Sequence, residues 1–82
     1  MKIKIVNAFK LKNPPKNILD VEIIEGNNLS KGKKFINSEN NLEFIIDSVG
    51  QVNPSTSIYY PLLVTTNNSD LEKFRDKIFL ME

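Results

Sequence analysis

Leu19-Asp20-Val21-Glu22-Ile23-Ile24-Glu25-Gly26-Asn27-Asn28-Leu29-Ser30-Lys31-Gly32-Lys33-Lys34-Phe35 is an alternating run, two glycine-marked turns and the start of a second extended run, with no gap between them. Leu19, Val21 and Ile23 fall on one face of an extended chain and Asp20 and Glu22 on the other, which is the period-2 pattern of a half-buried strand. Gly26-Asn27-Asn28 and Lys31-Gly32-Lys33 each supply a residue that tolerates positive backbone angles, so two turns sit close together. Between them only Leu29 is apolar, and its expected role is to pack beneath the connection.

Working outward toward the N-terminus, Ile3, Ile5, Phe9 and Leu11 share one parity and Lys2, Lys4, Lys10 and Lys12 the other. Lys2 to Lys12 therefore reads as a strand with its lysines in water. Asn7 and Ala8 interrupt the pattern, and a polar residue at an inward position in mid-strand predicts a bulge or bend there. Pro14-Pro15 offers no N–H to a ladder, so Asn13 to Asn17 reads as a connection.

Toward the C-terminus, Phe35 and Ile36 form a short strand and Asn37 to Asn41 a polar loop. Leu42, Phe44 and Ile46 then alternate with Glu43, Ile45 and Asp47 as a further strand. Gly50 to Ser57 reads as an exposed loop because Asn53-Pro54-Ser55-Thr56 favours turns. Ile58 to Thr65 places Ile58, Tyr60, Leu62 and Val64 on one face and Tyr59, Leu63 and Thr65 on the other. Pro61 cannot donate within it, so this strand is expected at a sheet edge or bulged at that residue. Ser69-Asp70-Leu71-Glu72 has the form of a capping box with Ser69 as the cap, which predicts one helical turn with Leu71 and Phe74 facing inward. Ile78 to Met81 closes the chain as a strand. Six short strands with turn signals between them and no long helical period indicate an all-β barrel or sandwich in a single domain over 1–82.

The 82 residues form a core, although a chain of this size buries only about 60% of its unfolded surface. There is no cysteine and no histidine, which removes disulfides, thiolate chemistry, the commonest metal ligand and the one side chain that titrates near neutrality. The reading is accordingly non-enzymatic, with no catalytic residue, cofactor or metal. The net charge is +1, and Arg75 is the only arginine among the 11 basic residues. That balance argues against strong binding to free nucleic acid, which favours a positive excess and bidentate arginine contacts. Met1 to Lys12 lacks an apolar run long enough for a signal peptide or a membrane span, so a cytoplasmic location without membrane association is expected. Asparagine, lysine and isoleucine exceed a third of the chain. An AT-rich coding sequence explains that bias, and single asparagines carry little weight.

The order of features resembles the β-barrel second domain of translational GTPases such as elongation factor Tu. Ile3-Lys4-Ile5-Val6-Asn7-Ala8-Phe9-Lys10-Leu11 is similar to that domain's opening strand. Val21-Glu22-Ile23-Ile24-Glu25-Gly26, then Leu29, then Gly32-Lys33-Lys34-Phe35 resembles its succession of strand, glycine, aliphatic residue and glycine. Ile45-Ile46-Asp47-Ser48 resembles its middle strand. Leu62-Leu63-Val64, Asp70-Leu71 and Lys77-Ile78-Phe79 resemble its closing strand, turn and strand. The resemblance implies a six-stranded antiparallel barrel and a binding role toward a protein or ribonucleoprotein. It does not extend to nucleotide hydrolysis, because these residues hold no P-loop.

Two groups are candidates for contact with a partner. Lys31, Lys33 and Lys34 form the densest basic cluster and suit an acidic surface or phosphate, although a solvated turn that protects sheet edges accounts for them too. Tyr59 and Tyr60 are the only tyrosines, and whichever faces outward could stack on a base or anchor a partner, the other belonging to the core. Glu22 with Glu25, and Glu43 with Asp47, read as solubilising strand positions. The resulting expectation is a monomeric or weakly dimeric binding module. The alternative is a small stoichiometric inhibitor or immunity-type protein that blocks a toxin or enzyme.

Overall fold

The computed structural model describes residues 1–27, 29–50 and 59–82. The strands are β1 (Lys2–Lys12), β2 (Pro15–Glu25), β3 (Lys34–Asn37), β4 (Leu42–Val49), β5 (Tyr60–Thr66) and β6 (Ile78–Met81), with one 3-10 turn at Leu71–Phe74. They pair antiparallel in the order β1-β2-β5-β4-β3-β6 and close into a barrel where β6 meets β1. Among the described residues no helix is long and apolar enough to cross a membrane. Asn28 and the expected loop over Gly50 to Ser57, apart from Gly50, lie outside the described residues, as does Ile58 of the expected last-but-one strand.

Closure gives every strand an inner and an outer face, so the alternation read in the sequence becomes core against surface. Leu19 and Val21 of β2, Phe44 and Ile46 of β4 and Leu62 and Val64 of β5 are all buried, as expected, and Ile23 and Leu29 pack against them. Four of the five phenylalanines run through the interior as a connected set. Phe35 stacks on Phe44 at 5.4 Å, Phe44 meets Phe79 at 5.2 Å, and Phe79 stacks on Phe74 at 5.6 Å.

The fifth phenylalanine corrects the expectation for β1. Ile5 pairs with Val21 but Asn7 pairs with Asp20, so one residue of β1 has no counterpart on β2. The bulge lies next to the Asn7-Ala8 break, and it shifts the parity of everything after it. Ala8 is buried while Phe9 and Leu11 turn outward, 44% and 46% exposed, instead of continuing the face of Ile3 and Ile5.

Other local expectations are corrected in the same way. Asn13 to Asn17 is not a loose connection: β1 and β2 form one long hairpin paired through Lys12 and Pro15, with a turn at a cis Asn13–Pro14 peptide bond. β5 is not an edge strand, because β2 and β4 flank it, and the register shift on β4 lies between Ile46 and Ser48 rather than opposite Pro61. The proline is tolerated because the N and C=O of a strand residue point to the same side. The Pro61 carbonyl accepts from Gly50 N at 2.7 Å, so its N faces the end of β4 and no bond of the β2 ladder is lost. The cap of the 3-10 turn is Asp70 and not Ser69, its carboxylate accepting from the Glu72 amide at 3.2 Å. Glu72 pairs with Arg75 at 3.1 Å. Leu71 and Phe74 are buried as expected.

Both glycines of the opening stretch take the positive backbone angles expected of them. Gly26 and Gly32 have φ of +94° and +89°, a region that side chains with a Cβ resist. Asn37, read only as the first residue of a polar loop, is the one buried polar side chain among the described residues. It donates to the Ile78 carbonyl at 2.8 Å and accepts from Asn40 N at 2.9 Å, tying the β3–β4 turn to β6.

Candidate interaction surface

The bulge in β1 has a surface consequence. Beyond it, Phe9 stands opposite Ile18 on β2, and Ile18 stands opposite Leu63 on β5, so three apolar side chains line up across the outer wall. Leu11 extends the row toward the hairpin tip. A shallow depression of about 270 Å³ lies here, lined by Leu11, Lys16, Ile18, Gly50, Pro61, Leu62 and Leu63. Apart from Lys16 its side chains are apolar. Lys16, opposite Leu11, borders the depression on one side and Asp20, opposite Pro61, lies on the same face, whereas Lys10 and Lys12 alternate with Phe9 and Leu11 and project to the other face of the hairpin.

The residues singled out in the sequence are divided by the structure. Tyr60 is half-buried opposite Val21 and packs against the core, so it is the inward tyrosine. Tyr59 is the outward one, 36% exposed and two residues before Pro61. Of the three lysines, Lys34 differs in having its ammonium paired with carboxylates. Lys31 is exposed in the turn before Gly32, while Lys33 accepts at its backbone carbonyl from Ile46 N at 3.0 Å. Lys34 is held by Glu43 and Glu82, each at 3.3 Å. The Glu43 carboxylate, with Glu82 second, raises the Lys34 pKa above its ordinary value, since both stabilise the ammonium form.

The carboxylates are likewise engaged in local pairing. Glu25 lies 3.6 Å from Lys2, Glu43 holds Lys34, and Asp47 accepts from the Thr65 hydroxyl at 2.8 Å. Among the described residues no three of His, Cys, Asp and Glu come together in a way that could hold a metal ion.

Phe9, Leu11, Ile18 and Leu63 are not among the sequence candidates. The signal that could have found them is the Asn7-Ala8 break, with the parity reversed after it as a bulge requires. No family model, no curated protein and no solved structure matches this chain.

Proposed function

We propose that this protein is a non-catalytic binding module, a counterpart of the second-domain barrel of translational GTPases, that holds a protein or ribonucleoprotein partner against the outer wall of β1, β2 and β5. The observation that carries the reading is the apolar row Phe9, Ile18 and Leu63 with Leu11 beside it, turned outward by the β1 bulge. Burial of such side chains on docking supplies a non-directional attraction. The strand order closes on itself, although β6 pairs with β1 only over Lys2 to Lys4 and the far half of β1 has a strand on one side only. The six-stranded antiparallel architecture agrees with the resemblance in the sequence, which suggests where to look for the partner.

The test is affinity capture with the intact protein followed by paired binding measurements on the captured partner and on generic RNA, at about 50 and 200 mM salt. Leu11→Asp and Phe9→Asp are expected to abolish partner binding, Tyr59→Ala to weaken it, and loss of the Lys31, Lys33 and Lys34 charges to change it little. Ribosomes or translation factors in the capture support the reading. One dedicated enzyme would move the assignment to a stoichiometric inhibitor. Submicromolar RNA binding that disappears at the higher salt and depends on the three lysines would replace it with a nucleic-acid function.

A further inference from the structure

The opposite side of the barrel, formed by β6 and β3 with β1 and β4 at its margins, carries a second exposed apolar strip. Lys2 stands opposite Leu80, Leu80 opposite Ile36, and Ile36 opposite Glu43, so one row crosses four strands. Phe79, Phe35, Ile3 and Phe44 are buried, and alternation therefore turns this row outward. Leu80 is 50% exposed, the highest value among the large apolar residues described, and Ile78 beside it is also exposed.

From β1 to β4 the order of chemistry along the row is cation, aliphatic, aliphatic, anion, with Lys2 also 3.6 Å from Glu25 and Glu43 3.3 Å from Lys34 within the chain. Reversed, the order is its own complement. A two-fold axis lying in the contact plane, parallel to the strands and between β6 and β3, reverses the row while leaving position along the strands unchanged. Such an axis sets Leu80 of one copy over Ile36 of the other and Lys2 of one over Glu43 of the other, each contact occurring twice. The neighbouring position along the strands obeys the same rule. Glu82 on the β6 side and Lys34 on β3 are paired within one chain at 3.3 Å, and the same axis sets each over its counterpart's opposite charge.

We propose that this wall is the contact surface for a second copy of the chain, in a symmetric dimer centred on Leu80 and Ile36. The occupant is argued from this charge order: a parallel, unreversed overlay would set Lys2 on Lys2 and Glu43 on Glu43. A shallow depression of about 370 Å³ lies on this wall beside Ile36, Ile78 and Leu80, so the central aliphatic pairs meet without filling the contact. Association is therefore weak and concentration-dependent. The surface is distinct from the one proposed for the partner.

Sedimentation equilibrium of the full chain, from about 10 μM to 1 mM, tests this. The wild type is expected to show a reversible monomer–dimer equilibrium. Lys2→Glu and Glu43→Lys are each expected to weaken self-association at least about tenfold, because each sets like charges face to face twice. Mixed in equal amounts, the two variants are expected to recover dimers, since the carboxylate introduced in one then meets the ammonium introduced in the other. Recovery in the mixture separates a pairing effect from a loss of folding. Leu80→Asp is expected to leave monomers alone and in every mixture, and Phe9→Asp on the opposite wall to dimerise as the wild type does. A wild type that stays monomeric at the highest concentration would overturn the proposal. So would charge variants that fail to complement, or a dimer lost with Phe9→Asp and kept with Leu80→Asp.

Discussion

The Arg75 guanidinium donates from Nη2 to the carbonyl oxygen of Ala8 at 3.2 Å, joining the residue after the 3-10 turn to the bulged part of β1, 67 positions earlier in the chain. β6 pairs with β1 only as far as Lys4, so the backbone near Ala8 has no strand on that side, and a side chain from the far end of the sequence supplies a donor there. Nη1 lies 3.4 Å from the Asn7 side-chain oxygen, and Nη2 also reaches Glu72 at 3.1 Å.

From this arrangement Arg75→Lys is expected to destabilise the fold by about 1–2 kcal/mol, since one ammonium cannot reproduce a fork that addresses three acceptors. Urea denaturation measures it. An unchanged midpoint would mean that the bulge holds without the guanidinium.

The aromatic set distinguishes the two sides of the barrel wall. Phe44 touches both Phe35 and Phe79 in the interior, and Phe44→Ala is expected to cost roughly 3–5 kcal/mol. Phe9→Ala, on the outer wall beyond the bulge, is expected to cost under about 1 kcal/mol. Equal losses at the two positions would place Phe9 back on the inner face and remove the apolar row with it.

Asn37 bonds in both directions, as donor to Ile78 and acceptor from Asn40. Asn37→Ala is expected to lose about 1–3 kcal/mol by leaving those groups unmatched near the core. Asn37→Asp should be no better, because a carboxylate cannot donate to the Ile78 carbonyl and sets negative charge against it. Thermal melts of the two variants beside the wild type decide the matter.

Lys34 links pH to stability with a definite sign. Its pKa in the folded state is raised, first by Glu43 and then by Glu82. The added stability is therefore fully present below the unfolded lysine value of about 10.4 and is lost as pH rises through the folded value. The melting temperatures of wild type and Lys34→Gln should differ by a constant amount near neutrality and converge in the alkaline range. Convergence on the acid side of neutrality instead, with the alkaline gap intact, would assign the effect to other groups.

Much of the barrel is legible in the sequence because its strands obey a local rule. Leu19 and Val21, Phe44 and Ile46, and Leu62 and Val64 recur at a spacing of two, and each pair is buried while Asp20, Ile45 and Leu63 between them take the other face. What escapes has no local signature. One unmatched residue near Asn7 reverses the parity of Phe9 and Leu11, so noticing the break without propagating it gives the wrong face to the residues of the candidate surface. Pro61 reads as an edge marker, yet the strand order is set by contacts between distant parts of the chain, such as Lys2 with Leu80. Asn37 is lost amid a compositional excess of asparagine, and its partner at Ile78 lies 41 positions away. Lys34 looks like one member of a basic cluster until Glu43 and Glu82 come beside it in space.

The backbone amide of Met81 donates to the Met1 carbonyl at 3.0 Å, so the first and last strands end side by side in the same ladder. A short flexible linker can therefore bridge the two ends, and new ends can be opened at the exposed Asn13–Pro14 tip, as a circular permutation. The cylinder would be the same, but β6 and β1 would become a hairpin and the present β1–β2 hairpin would become the last seam to close. Because local pairings form sooner than distant ones, the permuted chain should reach the same barrel at a different rate and through a different early pairing.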